Sequence, residues 1–157
     1  YAPDLFWFDG DWPCASKYAQ QVMDECCAMI KKTLPHCTIN DRIGHKTARQ
    51  KVDSLVGVGL ADYRVYADRA IPEFAGLVAT VPWEHVNTIG YSWGRNKQQQ
   101  KRDYKTGREL HELYCKVSAL GGNFLLNVGP NADGTLCQEE IDRLHEFAVA
   151  LSGQQSL

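Results

Sequence analysis

The sequence predicts an α/β chain made of βαβ units around a parallel sheet. Three patterns point there: short runs apolar on both faces, amphipathic stretches with three- and four-residue spacing, and no tight hairpin turns between strand-like runs. A composition of 44% hydrophobic and 23% charged residues over 157 positions is that of a folded globular protein, and argues against collagen, coiled coil and disorder. A single domain is expected. A body of this size buries roughly 70% of its unfolded surface, so its core does not depend on disulfides or a metal.

The first strand is expected over Asp4 to Phe8, where Asp-Leu-Phe-Trp-Phe is too short for a helix and reads as covered on both sides; it stops at Asp9-Gly10. Period two puts Leu5, Trp7 and Asp9 on one face and Phe6 and Phe8 on the other. Residues 16 to 34 place Tyr18, Val22, Cys26, Met29 and Ile30 at helical spacing, with Ser16 as N-cap and Pro35 beyond the end. A second strand is expected at Cys37 to Asp41 and a weaker third near Val58 to Tyr63, followed by loop from Arg64 to Pro82. β-Branched and aromatic residues between Trp83 and Trp93 predict another strand, and Gln98 to Gln100 a loop. Leu110, Leu113, Tyr114 and Val117 predict a helix closed by Gly121-Gly122. Phe124 to Val128 is again a continuous apolar strand, stopped by Gly129-Pro130 and the Asp133-Gly134 turn. Ile141, Leu144, Phe147, Ala148 and Leu151 form the last helical face.

Seventeen basic against nineteen acidic residues leave no cationic stripe beyond Lys97 to Arg102, so no nucleic acid partner is expected. Apolar runs such as Phe124 to Val128 fall far short of the ~20 residues of a spanning helix, so no membrane segment is expected. The chain starts at Tyr1 with no signal-peptide pattern ahead of its first strand, and is expected to be cut from something longer. Its six cysteines show no C-x-x-C spacing, and neither a metal nor a cofactor is expected; three bridges and buried free thiols both remain open. A dinucleotide fingerprint and a Gly-x-Ser-x-Gly elbow are absent, and His111 and His145 read as ordinary helix-surface residues.

Polar and aromatic residues cluster at three strand ends, where parallel barrels carry their chemistry. Trp7-Phe8-Asp9-Gly10-Asp11-Trp12 would aim an indole and a carboxylate the same way, which suits a sugar, although Asp-Gly also serves as a plain turn. Asn40-Asp41-Arg42 follows a buried strand; its arginine fork fits sugar hydroxyls or a carboxylate, and a rim salt bridge explains it equally well. The block from Trp83-Glu84 to Ser92-Trp93-Gly94 reads more readily as packing than as recognition. Asn127, inside a buried strand, needs hydrogen-bond partners, and structural ones suffice.

Tyr1-x-Pro3-Asp4-Leu5 with Trp7-x-Asp9-Gly10-x-Trp12, then Asn40-Asp41-Arg42, Asp62-Tyr63, Trp83-Glu84 with Thr88-Ile89 and Ser92-Trp93-Gly94, and Gly121-Gly122-Asn123-x-Leu125-Leu126-Asn127-Val128-Gly129-Pro130 occur in that order. Together they resemble the family 29 glycoside hydrolases, the α-L-fucosidases. The resemblance runs over nearly the whole chain and implies the later part of a (β/α)8 TIM-like barrel, about strands 4 to 8. Residues 1–157 would then be a partial catalytic barrel domain truncated on its N-terminal side.

By that resemblance Asp9 is the catalytic nucleophile, and Trp7, Arg42 and Trp93 are substrate-binding side chains, with Arg42 serving the sugar or the nucleophile's surroundings. The family motif Gly-Asp-Tyr-x-Thr-Pro-Glu departs here: after Ala61-Asp62-Tyr63 its strict spacing lands on Ala67, which moves no proton. Glu73 is the first choice for the acid/base and Asp68 the second, with Glu84 expected in a rim ion pair. A retaining glycosidase needs one ionised and one protonated carboxyl about 5 to 5.5 Å apart. Arg42 beside Asp9 would keep it charged, and the apolar loop around Ala70, Ile71 and Phe74 would raise the acid. The implied partner is a fucosylated glycan in a lysosomal, periplasmic or secreted setting, with a homo-oligomer of the full-length parent left open. A fucose-binding protein without a competent acid is the alternative.

Overall fold

The computed structural model describes residues 1–9, 17–42, 61–72 and 82–153. They fall into two compact units: Tyr1–Ala67 with Pro72–Glu84, and Asp68–Ile71 with His85–Leu157.

In the first unit, β1 (Leu5–Phe6) pairs in parallel with β2 (Thr38–Ile39), and α1 (Lys17–Thr33) makes the crossover between them. Cys27, Ile30, Cys37 and Ile39 form the core, with Phe6, Phe8, Met23, Cys26 and Leu34 packed against it. The core-facing side of α1 is therefore Met23, Cys26, Cys27 and Ile30, with Leu34 just beyond its end. The expected stripe was partly misjudged, since Val22 and Met29 are 42% and 62% exposed. Both stripes satisfy helical spacing, and contact with β1 and β2 selects between them. The first strand is also less covered than expected, with Leu5 exposed.

Asn40 and Tyr63 form an isolated parallel bridge, and β3 (Arg64–Val65) pairs in parallel with the start of β4 (Trp83–Thr88). This corrects the expected loop from Arg64 onward. A two-residue strand opening on a buried arginine carries no alternation signal; it forms because the Val65 N–H donates to the Asp41 carboxylate at 2.8 Å and the Arg64 N–H to the Pro82 carbonyl at 3.0 Å. Residues 58 to 60 of the expected third strand, and the Ser16 cap, lie outside the described residues.

In the second unit the end of β4 borders β5 (Asn123–Asn127), where the Ile89 N–H donates to the Asn127 carbonyl at 2.9 Å. After a short 3-10 turn at Lys101–Asp103, α2 (Gly107–Ala119) starts on a capping box. Thr106 accepts from the Glu109 N–H, and Glu109 accepts from the Thr106 N–H. It closes as expected at Gly121, left-handed at φ 74°, with the Gly122 N–H reaching the Val117 carbonyl. α3 (Gln138–Gly153) packs on α2, and Ile89, Tyr104, Leu110 and Cys137 form this unit's core with Leu126, Val128, Leu144 and Phe147. β5 is not a fully covered strand: Leu125 is 38% exposed and Asn123 is exposed as well. Cys26, Cys27, Cys37, Cys115 and Cys137 are free thiols. No helix among the described residues is long and apolar enough to cross a membrane.

Candidate active site

Beyond Phe6, β1 has no further ladder partner in β2, and the Asn40 side chain takes over the pairing. Its Oδ1 accepts the Phe8 N–H at 2.8 Å, and its Nδ2 donates to the Phe8 carbonyl at 2.9 Å. The chain is thereby held extended as far as Asp9. Period two then has its expected effect, because Phe6 and Phe8 stack in the core at 6.0 Å while Trp7 and Asp9 face the other way.

On that other face Arg42 is the organiser. Its guanidinium is 5% exposed and donates to Asp9 Oδ1 at 3.2 Å and to the Tyr66 carbonyl at 2.9 Å, while it lies over the Trp7 ring at 5.0 Å. Asp9 keeps 43% of its side chain open. A carboxylate fixed from behind by a buried fork and open in front is one that a ligand can reach. Trp7 is fixed at its edge, its Nε1–H donating to buried Glu84 at 2.7 Å. Glu84 therefore does not stand on a rim.

Asp41, the middle residue of the triplet, faces inward. It is fully buried, accepts the Val65 N–H and pairs with Arg64 at 3.6 Å. Asp62 accepts from Lys31 and from the Ile39 N–H, which makes it a strand clamp. Burial, reinforced by the charges of Glu84, Asp41 and Asp62, raises the Tyr63 phenol well above its ordinary value.

The first unit thus brings together Trp7, Asp9 and Arg42. Asp68 and Trp93 belong to the second unit, and Glu73 lies outside the described residues. Asp68 is exposed on the turn that ends at Ala70. Trp93 is 39% exposed, and the Asn127 amide donates to its backbone carbonyl at 2.6 Å. That bond is the structural partner expected for Asn127. Among the described residues, no cluster of three or more histidines, cysteines or carboxylates could hold a metal ion.

The model of the family described as alpha-L-fucosidase matches residues 1–153. The chain belongs to that family. It is 33% identical over 153 residues to an alpha-L-fucosidase of Dictyostelium discoideum, covering 97% of this chain and 31% of that protein. Alpha-L-fucosidase isoenzyme 1 from Paenibacillus thiaminolyticus shares 25% identity at a TM-score of 0.74, covering 98% of this chain and 35% of that one. The Thermotoga maritima alpha-fucosidase in complex with fucose gives 26% identity and a TM-score of 0.69, covering 95% of this chain and 29% of that one. The chain spans about a third of the length of the curated relatives it matches. The catalytic domain of these fucosidases is a TIM barrel, and the described residues here form small parallel sheets.

Three contributors escaped the sequence reading: Tyr66 through its carbonyl, Arg64 as the counter-ion of Asp41, and Glu84 as the acceptor of the indole N–H. A backbone carbonyl leaves no trace in a sequence. The Asp41 and Arg64 pair has no fixed spacing, because it joins neighbouring strands through a long crossover.

Proposed function

We propose that this chain carries the nucleophile side of a retaining α-L-fucosidase, which releases terminal α-L-fucose from glycoconjugates by double displacement. Asp9 attacks the anomeric carbon to form a fucosyl ester, and Glu73 protonates the departing oxygen and then activates the water that hydrolyses the ester; Asp68 is the next candidate for that second role. Trp7, Arg42 and Trp93 bind the sugar. The observation that carries this reading is the Asp9 carboxylate, open to ligand yet gripped by a buried arginine beside an indole, in a chain of the alpha-L-fucosidase family.

In this reading the chain is about strands 4 to 8 of the barrel, hydrolyses little or nothing by itself, and works on fucosylated glycans in a lysosomal, periplasmic or secreted compartment. Turnover of an aryl α-L-fucoside by the isolated 157 residues at the rate of a complete enzyme would overturn that part. In the complete reading frame, Asp9→Gly should lower turnover by about a thousandfold, and added azide should restore it by forming a fucosyl azide. Unchanged turnover in Asp9→Gly removes the nucleophile assignment.

The rival, a fucose-binding protein without a competent acid, draws on Ala67 at the family's acid spacing. Glu73→Gln separates the two. A catalytic acid loses rate mainly on poor leaving groups, whereas a binding protein shows no turnover to lose.

A further inference from the structure

Arg69 is the one non-glycine residue with a left-handed backbone among the described residues, at φ 63°. A bulky side chain is disfavoured there, and such a conformation persists only where the surroundings over-determine it. Two bonds hold it: its N–H donates to the Val86 carbonyl at 3.0 Å, and its guanidinium to the Tyr91 carbonyl at 2.8 Å. The result is a guanidinium stacked over the Trp93 indole, 5.1 Å from the ring centroid. From the β5 side the same loop is fixed by the Asn127 bond to the Trp93 carbonyl and by Gly129, where a Cβ would come within 2.9 Å of the Arg95 nitrogen.

We propose that Arg69 is a positioning residue for Trp93: the guanidinium backs one face of the indole and leaves the exposed part of the ring free to take a sugar. This rests on the reading that Trp93 binds substrate. The backbone of Trp93 is anchored by Asn127; among the described residues no hydrogen bond holds its indole ring, and a cation over one face supplies that restraint. A fucose ring then meets an indole already held in place, and binding does not have to order it first.

The test uses the complete reading frame, fucose as the probe in titration calorimetry, and an aryl α-L-fucoside for KM and kcat. Arg69→Gly keeps the left-handed turn and removes the guanidinium, so the fold survives. It should weaken the fucose Kd and raise KM by about fivefold to tenfold, leaving kcat within about twofold, with Arg69→Lys in between. In a Trp93→Ala background, Arg69→Gly should change Kd by less than about twofold, because the ring it positions is gone. An equal loss in both backgrounds, or wild-type binding by Arg69→Gly alongside weakened binding by Trp93→Ala, overturns the proposal alone. Wild-type binding by Trp93→Ala overturns the sugar-binding reading of Trp93, and the proposal with it.

Discussion

Trp7 and Glu84 stand far apart in the chain and meet through a hydrogen bond of 2.7 Å, from the indole Nε1–H to a carboxylate oxygen. Glu84 is buried and the bond itself part-buried, so loss of the acceptor leaves the indole N–H with little water to turn to. Glu84→Gln keeps an acceptor oxygen and should leave the melting temperature close to wild type. Glu84→Leu strands the N–H and should cost about 1–3 kcal/mol in urea unfolding, with a raised KM for an aryl fucoside in the complete reading frame.

Arg42 serves three groups at once, the Asp9 carboxylate, the Tyr66 carbonyl and the Trp7 ring. A lysine offers a point charge and can satisfy only part of that set. Arg42→Lys should lower kcat/KM by about 10- to 100-fold, measured on the complete reading frame. A variant with wild-type kcat/KM would show that the fork geometry is immaterial.

The Asp41 and Arg64 pair is buried on both sides, at 0% and 3% exposure. Removing one partner leaves the other charge in a desolvated place. Asp41→Ala should therefore destabilise the fold by about 3–5 kcal/mol, seen as a lowered urea midpoint, whereas a double replacement by apolar residues should recover much of the loss.

His85 is buried in the second unit, stacked on Phe124 at 5.8 Å. Its Nδ1 lies 2.9 Å from the Ala70 carbonyl, which can only accept, so Nδ1 carries the proton. Its Nε2 then accepts from the Asn87 amide, whose Oδ1 is already taken by the Thr88 N–H. Burial lowers the imidazole below its ordinary 6.5, with Lys105 adding to the effect and the Ala70 bond opposing it. The folded state thus resists a proton that the unfolded state accepts. The stabilisation is complete above pH 6.5 and drains away as pH falls below it. The melting temperature should drop between pH 7 and pH 5, and His85→Gln should flatten that drop.

Gly107 opens α2 with no room for a side chain, since a Cβ there would lie 2.3 Å from the Glu146 Cβ and 2.7 Å from the Phe147 nitrogen. Because those atoms belong to the packed helix α3, the clash cannot be relieved by a rotamer change. Gly107→Ala should cost about 2–3 kcal/mol, read as a fall in melting temperature. An unchanged melting temperature would mean that α2 and α3 separate easily.

Local pattern carried the helices and most of the strands, because helical spacing, glycine termination and period-two alternation are short-range effects. Gly121-Gly122 ended α2 where expected, and Trp7 and Asp9 shared a face as the alternation requires. The same short range explains the failures. Val22 and Met29 fit a helical stripe as well as Met23 and Cys27 do, and β3 has too few residues for any period to show.

By itself the sequence determined the α/β class, the order of most of its elements and the family, and it singled out Asp9 and Arg42 as candidates. Tertiary structure alone decided what those residues are bound to. Asn40 extends the first strand, Asp41 turns inward to Arg64, and Glu84 rather than solvent takes the Trp7 N–H. Each of these contacts joins segments distant in sequence, and their energy comes from desolvation and geometry, which exist only once the chain has brought the partners together.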